Sequence, residues 1–301
     1  MPRTSGPTPG NPALVPGAGA NIPAARGDGA ASLRAADASR CALILPRVTI
    51  AHFTLRLVSR RMLAPTVAHL AFARDDGLPL DFIPGQFIQV HFEYADGSPA
   101  RRSYSLATIR APGDAPDGTV EFAVSYVPGG AATALFETMA VGDTVRASGP
   151  FGRFCLQPRD DNRRYLLIGT GTGITPYRSM LPQLQAAMAG RGLEVVLLSG
   201  ARTPAELLYG DEFRAFADAH PGFRFVPCFS RELPAPGSPH HHADVRHGYV
   251  QQFLAEFSPS AEGDIAYLCG NPDMVDASFE ALKGHGLPIA RIRREKYVSS
   301  K

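Results

Sequence analysis

The amino-acid sequence predicts two folded domains, an N-terminal antiparallel β-barrel followed by a C-terminal α/β domain built on a parallel sheet. The length of 301 residues is twice the roughly 150 residues of one ordinary domain. From residue 49 onward, short β-branched and aromatic runs alternate with Gly, Pro and Asp, which is typical of closely spaced antiparallel strands. After residue 158, apolar strands alternate with helical stretches, which indicates βαβ units. We therefore expect the barrel over 49–158 and the α/β domain over 159–301.

The first 48 residues differ in composition from both predicted domains. Residues 1–40 are rich in Ala, Gly and Pro and contain no aromatic side chain. Such a segment buries too little apolar surface to offset the entropy that is lost when a chain is ordered. We expect residues 1–48 to form a disordered tail, with an over-long start assignment as the alternative.

Charge, hydropathy and cysteine usage exclude several classes of protein. The 30 basic residues nearly balance the 28 acidic ones, which argues against a protein that coats nucleic acid or binds membranes through a polybasic patch. No apolar run approaches the roughly 18 residues of a membrane span. The four cysteines lack the spacing of a zinc or iron–sulfur site, so we expect reduced thiols, no metal site and a cytoplasmic location. The run His240, His241, His242 lies in a Pro- and Gly-rich segment and is interpreted as a solvated loop.

Five runs in the N-terminal half predict strands: FTLRLVSRRML, TVAHLAFAR, FIQVHFEY, TVEFAVSYV and DTVRASG. A further strand is predicted within ARRSYSLAT at residues 100–108. Because side chains alternate along a strand, Arg102 and Tyr104 share one face, while Ser105 points to the other. This strand offers a cation, an aromatic ring and a hydroxyl group to a ligand, and an ordinary polar-faced strand is the alternative.

In the C-terminal half, the pattern predicts strands over 165–169, 194–199, 223–229 and 264–269, and helices over 176–188, 205–219, 249–257 and 272–283. Loops at the carboxyl ends of such strands form the ligand crevice of α/β domains. Ser230 and Arg231 follow the third of these strands, and a guanidinium there is suited to a 2′-phosphate. Cys269 ends the fourth strand, and Glu295 and Tyr297 lie near the end of the chain.

Two glycine-rich turns each precede a predicted helix. In LLIGTGTGITP the strand ends at Gly169, Gly171 and Gly173, and the helix opens at Pro176. In YVPGGAATALF, Gly129 and Gly130 precede Thr133 and a helix start. Glycines let backbone N–H groups approach an anion, and a helix N-terminus adds partial positive charge, so a pyrophosphate is the expected ligand. A purely steric use of glycine is the alternative for each turn.

Taken in order over residues 50–301, these segments resemble the ferredoxin–NADP reductase family of flavoproteins. The resemblance implies that the barrel binds FAD and the α/β domain binds NADP(H). RRSYSLA is similar to the family's flavin motif. By this resemblance, Arg102 would contact the FAD pyrophosphate, Tyr104 would stack on the isoalloxazine ring, and Ser105 would form a hydrogen bond near flavin N5. The residues implied to hold FAD are Arg102, Ser103, Tyr104, Ser105, Ser125, Tyr126, Gly130, Ala131, Ala132, Thr133 and Tyr297.

By the same resemblance, GTGTGITP corresponds to the NADP pyrophosphate turn, and CGNP places Cys269 close to the nicotinamide. Arg202, Ser230 and Arg231 match positions that hold the 2′-phosphate, and the position two residues before Tyr249, often basic in the family, is His247 here. The residues implied to hold NADP(H) are Thr170, Gly171, Thr172, Gly173, Pro176, Arg202, Ser230, Arg231, Tyr249, Gly270 and Asn271. Ser105, Cys269, Glu295 and Tyr297 are the implied catalytic residues, with Glu295 as the acid and Tyr297 as the aromatic that covers the flavin.

The implied activity is hydride transfer from NADPH to FAD, followed by single-electron transfer to a protein carrier. The sequence carries no ferredoxin-type cysteine cluster, so we expect a separate ferredoxin or flavodoxin as the carrier, and a monomeric reductase. One alternative is a reductase for free flavin or for an oxygenase system. Another is a flavin-binding electron-transfer or regulatory subunit without NADPH turnover.

Overall fold

The computed structural model describes residues 50–94, 96–111, 113–115, 117–157 and 161–297. The predicted tail over 1–48 and the predicted domain boundary between 158 and 159 lie outside these ranges. Among the described helices, none combines the length and the apolar character that a membrane crossing requires.

The N-terminal half forms one six-stranded antiparallel sheet. Its strands are β1 (His52–Ala64), β2 (Val67–Arg74), β3 (Phe87–Glu93), β4 (Pro99–Ser105), β5 (Thr119–Ser125) and β6 (Thr144–Phe151), in the order β4-β3-β6-β1-β2-β5. An antiparallel bridge between Leu106 and Phe122 joins the two edges of the sheet, which closes it into a barrel as predicted. Helix α1 (Ala131–Thr138) follows β5.

Alternating side chains fill the barrel. Leu55 and Leu57 on β1 and Ile88 and Val90 on β3 are buried, while their sequence neighbours are more exposed, as the two-residue period of a strand requires. Phe122 lies at the centre of an aromatic group, stacked on Phe72 and Tyr104 with ring centroids 5.1 and 4.9 Å apart. This packing holds the β4–β5 edge of the barrel, where the candidate flavin motif lies.

The C-terminal half forms a parallel six-stranded sheet, which confirms the predicted fold class. Its strands are β7 (Arg164–Thr170), β8 (Glu194–Ala201), β9 (Phe223–Phe229), β10 (Arg246–His247), β11 (Asp264–Gly270) and β12 (Ile292–Lys296), in the order β10-β9-β8-β7-β11-β12. The α-helices are α2 (Thr175–Arg191), α3 (Gly210–Ala219) and α4 (Pro272–Gly284). Apolar clusters lie on both faces of this sheet, and one of them also includes Val67 and Ala123 of the barrel. The two halves therefore share a continuous apolar contact.

Two predicted helices differ from the structure. The helix predicted over 205–219 begins at Gly210, because Tyr209 adopts a left-handed conformation that interrupts a helical path. Before it, Pro204–Glu206 forms only a short 3₁₀ turn. The helix predicted over 249–257 is a 3₁₀ helix, Val250–Phe257. A 3₁₀ helix rises about 2.0 Å per residue, so this short segment covers more of the sheet than an α-helix of equal length.

Candidate active site

Four side chains predicted to be catalytic meet where the barrel contacts the α/β domain. Ser105 ends β4, and its hydroxyl lies 2.5 Å from the Tyr297 hydroxyl. Cys269 and Glu295 are register partners on the parallel strands β11 and β12. The Tyr297 N–H donates to the Gly270 carbonyl at 2.8 Å, which fixes the chain after β12 against the end of β11. The site is thus assembled from a barrel strand and two α/β strands.

Burial controls the protonation of this cluster. It raises the pKa of Glu295 to about 7, and a hydrogen bond with Ser105 offsets part of that effect. Burial also raises the pKa of the Cys269 thiol and of the Tyr297 phenol well above their usual values. At neutral pH the thiol and the phenol are therefore neutral, while Glu295 exchanges a proton near physiological pH.

The first glycine-rich turn packs directly on the end of β11. A Cβ atom at Gly173 would collide with the Cys269 carbonyl, and one at Gly270 would lie 2.5 Å from the Thr170 carbonyl oxygen. The Asn271 N–H donates to Thr170 Oγ1 at 3.2 Å, and the Asn271 side chain caps α4. The turn that leads into α2 therefore packs against the end of β11, and the N-terminus of α2 favours an anion beside it.

This region fits a bound dinucleotide. The Thr175 hydroxyl, on the first turn of α2, is buried and has no hydrogen-bond partner among the described residues. Pro176 is also buried in that turn, whereas Gly171 is exposed at positive φ and Thr172 is half-buried. Gly171 therefore leaves its backbone accessible to solvent, whereas Gly173 packs closely against the end of β11. A pyrophosphate site requires both features.

A cleft of about 1000 Å³ opens between the β3–β4 connection and α1. Thr133 Oγ1 accepts a hydrogen bond from the Val127 N–H at 2.7 Å, which holds the turn that precedes α1. The Tyr126 hydroxyl is buried, again without a partner among the described residues. The cleft is lined by residues that include Phe92, Tyr94, Tyr126, Gly129, Gly130, Ala131, Thr133, Ala134 and Leu135. The glycine turn at the N-terminus of α1 fits a pyrophosphate, and the aromatic walls fit an adenine ring. The cleft therefore suits the adenosine diphosphate part of FAD.

Arg102 lies beside this cleft. Its Nη2 donates to the Tyr94 hydroxyl at 3.0 Å, and its guanidinium lies within 6 Å of the Phe92 and Tyr94 ring centroids. Tyr104 lies on the same face of β4 and is half-buried against Phe122.

Three other residues predicted to bind FAD do not line this cleft. Ser103 is exposed on the opposite face of β4, Ser125 is exposed at the end of β5, and Ala132 is half-buried in α1.

The predicted 2′-phosphate residues lie at the carboxyl ends of β8 and β9. The N–H of Ser230 donates to the Ala201 carbonyl and that of Arg231 to the Arg202 carbonyl, so the two loops run side by side. Arg231 is exposed, and no carboxylate among the described residues forms an ion pair with it. Arg202 instead donates to Glu206 Oε2 at 2.6 Å. Tyr249 is 62% exposed, beyond the short strand β10 that pairs with β9.

Sequence reasoning missed several residues that the fold brings to these sites. Phe92 and Tyr94 line the cleft from a strand end that carried no recognisable motif. Arg178 and Glu121 form an ion pair across the two halves, with Nη1 and Oε2 2.9 Å apart. Arg178 was detectable in principle, because it lies two residues after Pro176 on the helix that follows the glycine turn.

Comparisons with known proteins agree with this arrangement. Residues 54–155 match the family described as oxidoreductase FAD-binding domain, and residues 167–279 match the oxidoreductase NAD-binding domain. The reductase subunit of an aromatic O-demethylase from Amycolatopsis is 39% identical over 73% of this chain and 62% of its own length. Ferredoxin–NADP reductase B from Sorangium cellulosum is 35% identical over 81% of this chain and 97% of its own length. The solved structure of the Amycolatopsis cytochrome P450 reductase GcoB matches with a TM-score of 0.69 and 35% identity, covering 82% of this chain and 70% of that one.

Fold and site together define a two-domain flavoprotein oxidoreductase, with an FAD-binding barrel and a nicotinamide-dinucleotide-binding α/β domain. The predicted resemblance is therefore confirmed. The chain belongs to the ferredoxin–NADP reductase family, as the Sorangium relative shows. It spans less than two thirds of the length of the Amycolatopsis relative.

Proposed function

We propose that the protein passes electrons between NADPH and a separate one-electron protein carrier, a ferredoxin or a flavodoxin. FAD, when bound, supplies hydride acceptance from the dihydronicotinamide and release of single electrons. The observation that carries this proposal is the convergence of Ser105, Cys269, Glu295 and Tyr297 where the FAD-binding and dinucleotide-binding halves meet. The domain limits that go with it are 49–158 and 159–301, and the protein acts as a monomer.

In this proposal the chain aligns two cofactors and controls one proton. Arg102 and the turn before Thr133 hold the FAD pyrophosphate, while Tyr104 and Tyr297 hold the flavin ring. The glycine turn at 169–173 and the α2 N-terminus hold the dinucleotide pyrophosphate. Ser105 keeps Tyr297 in place through their hydroxyl contact, and Glu295 holds an exchangeable proton beside Cys269. Arg231, with its guanidinium unpaired by any described carboxylate, binds the 2′-phosphate that distinguishes NADPH from NADH.

A second candidate is the reductase component of an oxygenase system. It is favoured by the similarity to the reductase subunit of the Amycolatopsis O-demethylase. Both candidates use the same two cofactor sites and differ in the acceptor that docks on the flavin domain.

The test is an anaerobic titration of the FAD-loaded full chain with NADPH and with NADH, followed by flavin absorbance. Bleaching by NADPH with a half-saturating concentration at least about tenfold below that of NADH supports the proposal, since tenfold corresponds to roughly 1.4 kcal/mol of selective binding. A preference for NADH contradicts the role given to Arg231. A yellow protein that neither dinucleotide bleaches contradicts NADPH turnover and favours a non-turnover subunit.

The acceptor is then assigned by steady-state turnover with a [2Fe–2S] ferredoxin, a flavodoxin and free FMN. Faster turnover with either protein carrier, at a KM in the micromolar range or below, supports the first candidate. A strong preference for free FMN overturns it. Turnover that requires an oxygenase component supports the second candidate.

A further inference from the structure

Arg178 connects the two halves of the molecule beside both cofactor sites. It ends the first turn of α2, the helix that follows the dinucleotide turn. Its Nη1 donates to the Ala107 carbonyl at 2.5 Å and to Glu121 Oε2 at 2.9 Å. Ala107 lies two residues after Ser105, and Glu121 lies on β5. One guanidinium thus contacts the end of the flavin strand and the neighbouring strand of the barrel.

The same guanidinium is held from its own domain. Arg178 Nε donates to Glu212 Oε2 at 2.5 Å, and Glu212 Oε1 accepts from Arg61 of the barrel at 2.6 Å. Glu121 and Glu212 therefore balance Arg178 and Arg61 in a set of four charges that spans the domain contact. The Arg178 side chain is 11% exposed, so its position is fixed by these bonds and not by solvent.

Aromatic and imidazole groups complete the packing around Arg178. The Tyr209 ring lies 5.2 Å from the Arg178 guanidinium and 5.8 Å from that of Arg61. His69 Nδ1 lies 3.0 Å from the Tyr209 hydroxyl, and His69 Nε2 lies 3.6 Å from Glu121 Oε1. Tyr209 and His69 therefore pack beside the bonds that Arg178 Nη1 forms with the barrel.

We propose that Arg178 is a positioning residue that sets the relative placement of the dinucleotide site and the flavin site. The helix that begins at the dinucleotide turn carries Arg178 only five residues after Gly173, and the Ala107 carbonyl lies only two residues after Ser105. A shift of α2 relative to the barrel therefore stretches the bonds that Arg178 forms with Ala107 and Glu121. This inference rests on the proposed function, because alignment of two cofactors matters only if electrons pass between them.

A partly buried ion pair within one domain separates positioning from simple stabilisation. Arg164 donates to both carboxylate oxygens of Asp264, at 3.0 and 2.6 Å, inside the α/β domain. It lies at the start of β7, whereas the glycine turn follows the end of that strand. Loss of either arginine leaves a carboxylate poorly compensated and destabilises the fold. Only the loss of Arg178 changes the contact between the two halves.

The experiment compares Arg178→Met, Arg178→Lys and Arg164→Met in the FAD-loaded full chain. We expect Arg178→Met to lower the limiting rate of flavin reduction by NADPH about 10- to 100-fold, since small misplacements of reacting groups cost factors of this size. The KM for NADPH should change less than about threefold, because the dinucleotide turn is intact. Arg178→Lys should recover part of the rate, and Arg164→Met should lower the melting temperature but keep the rate within about twofold of wild type. A rate for Arg178→Met within about twofold of wild type, or an equal loss in Arg164→Met, overturns the proposal.

Hydrogen–deuterium exchange of the full chain without dinucleotide supplies a readout that does not depend on turnover. The backbone amides of residues 105–108 and 175–179 should exchange faster in Arg178→Met than in wild type. Their exchange rates in Arg164→Met should equal those of wild type. Unchanged exchange in Arg178→Met overturns the proposal even if its rate falls. If wild type is not reduced by NADPH at all, the proposed function fails, while the exchange result still decides whether Arg178 joins the two sites. Glu121→Gln, which removes the barrel carboxylate that Arg178 contacts but leaves its pair with Glu212 in place, replaces Arg178→Met if that variant does not fold, with the same loss of rate and the same faster exchange expected.

Discussion

Glu295 and Cys269 are register partners on adjacent parallel strands, so the carboxyl group and the thiol occupy the same edge of the sheet. Strand β12 is short and follows the last 3₁₀ turn of the described chain, and its role is to bring Glu295 beside the end of β11. The Tyr297 N–H then bonds to the Gly270 carbonyl. Two residues of β12 and its C-terminal extension therefore complete a site whose other half comes from the barrel.

The first prediction concerns pH-dependent stability at Glu295. Its folded-state pKa of about 7 lies above the ordinary 4.5, so the folded protein holds this proton more tightly than the unfolded chain. The resulting stabilisation is present below pH 4.5 and is lost as the pH rises to about 7. We expect Glu295→Gln to remove this dependence and to be more stable than wild type above pH 7, by at most about 3 kcal/mol for a shift of this size.

Urea unfolding of wild type and Glu295→Gln between pH 5 and pH 8 measures this difference. Glu280→Gln, on the exposed side of α4, is the control and should follow the wild-type profile. Parallel stability profiles for wild type and Glu295→Gln would show that burial does not raise the carboxyl pKa in the folded protein.

The fold class was predictable because both halves have clear hydrophobic periods. Alternating runs gave the barrel strands, and four apolar runs gave the central strands of the parallel sheet. The edge strands β10 and β12 were not predicted, since Arg246–His247 and Ile292–Lys296 are polar and short. A two-residue strand exists only because its backbone pairs with β9, and that pairing is not encoded in local sequence.

The candidate site was predictable only as separate motifs. Glycine turns and the RRSYS segment could be recognised locally, but the contact of Ser105 with Tyr297 joins residues 192 positions apart. Likewise, pairing of Arg202 with Glu206 depends on the 3₁₀ turn that replaced the predicted start of a helix. Long-range contacts of this kind follow from tertiary packing, which a pattern of residue types does not determine.

The second prediction concerns Gly173. A Cβ atom there would collide with the backbone of Cys269 and Gly270, which cannot move without disturbing β11. We expect Gly173→Ala to lower stability by about 2 kcal/mol or more and to weaken dinucleotide binding at least tenfold. Thermal unfolding and NADP⁺ titration measure the two effects.

The control for this variant is Gly190→Ala near the end of α2, the helix that follows this turn, where a new Cβ meets no atom within 4 Å. It should raise stability by up to about 1 kcal/mol, because Ala favours a helix more than Gly does. Equal behaviour of the two alanine variants would show that the turn does not pack on β11 as described.

The third prediction concerns the choice between NADPH and NADH. Arg231→Gln should lower kcat/KM for NADPH about 10- to 100-fold and leave that for NADH within about twofold, since only NADPH carries the 2′-phosphate. Glu206→Gln should act in the opposite direction, because it releases the Arg202 guanidinium from its carboxylate partner. A several-fold rise in NADPH preference is expected, measured by steady-state kinetics with both dinucleotides. A fall in both substrates' kcat/KM by the same factor in Arg231→Gln would contradict this assignment.

The fourth prediction concerns FAD binding at Thr133. Its hydroxyl accepts from the Val127 N–H, and Val127 precedes the glycine turn of the cleft. Thr133→Val keeps the volume but leaves that N–H without its acceptor, at a cost of about 1–3 kcal/mol. We expect FAD affinity to fall about tenfold or more in a fluorescence titration of the apoprotein, because the turn is no longer held open for the pyrophosphate.

Two further variants make the result specific to the hydroxyl group. Thr133→Ser retains the acceptor and should keep FAD affinity within about threefold of wild type, a difference of less than about 1 kcal/mol. Thr144→Val, on an exposed position of β6, makes the same chemical change away from the cleft and should leave affinity unchanged. If Thr133→Val binds FAD as tightly as Thr133→Ser, the bond to Val127 does not shape the site, and the cleft must be held by the packing of α1 alone.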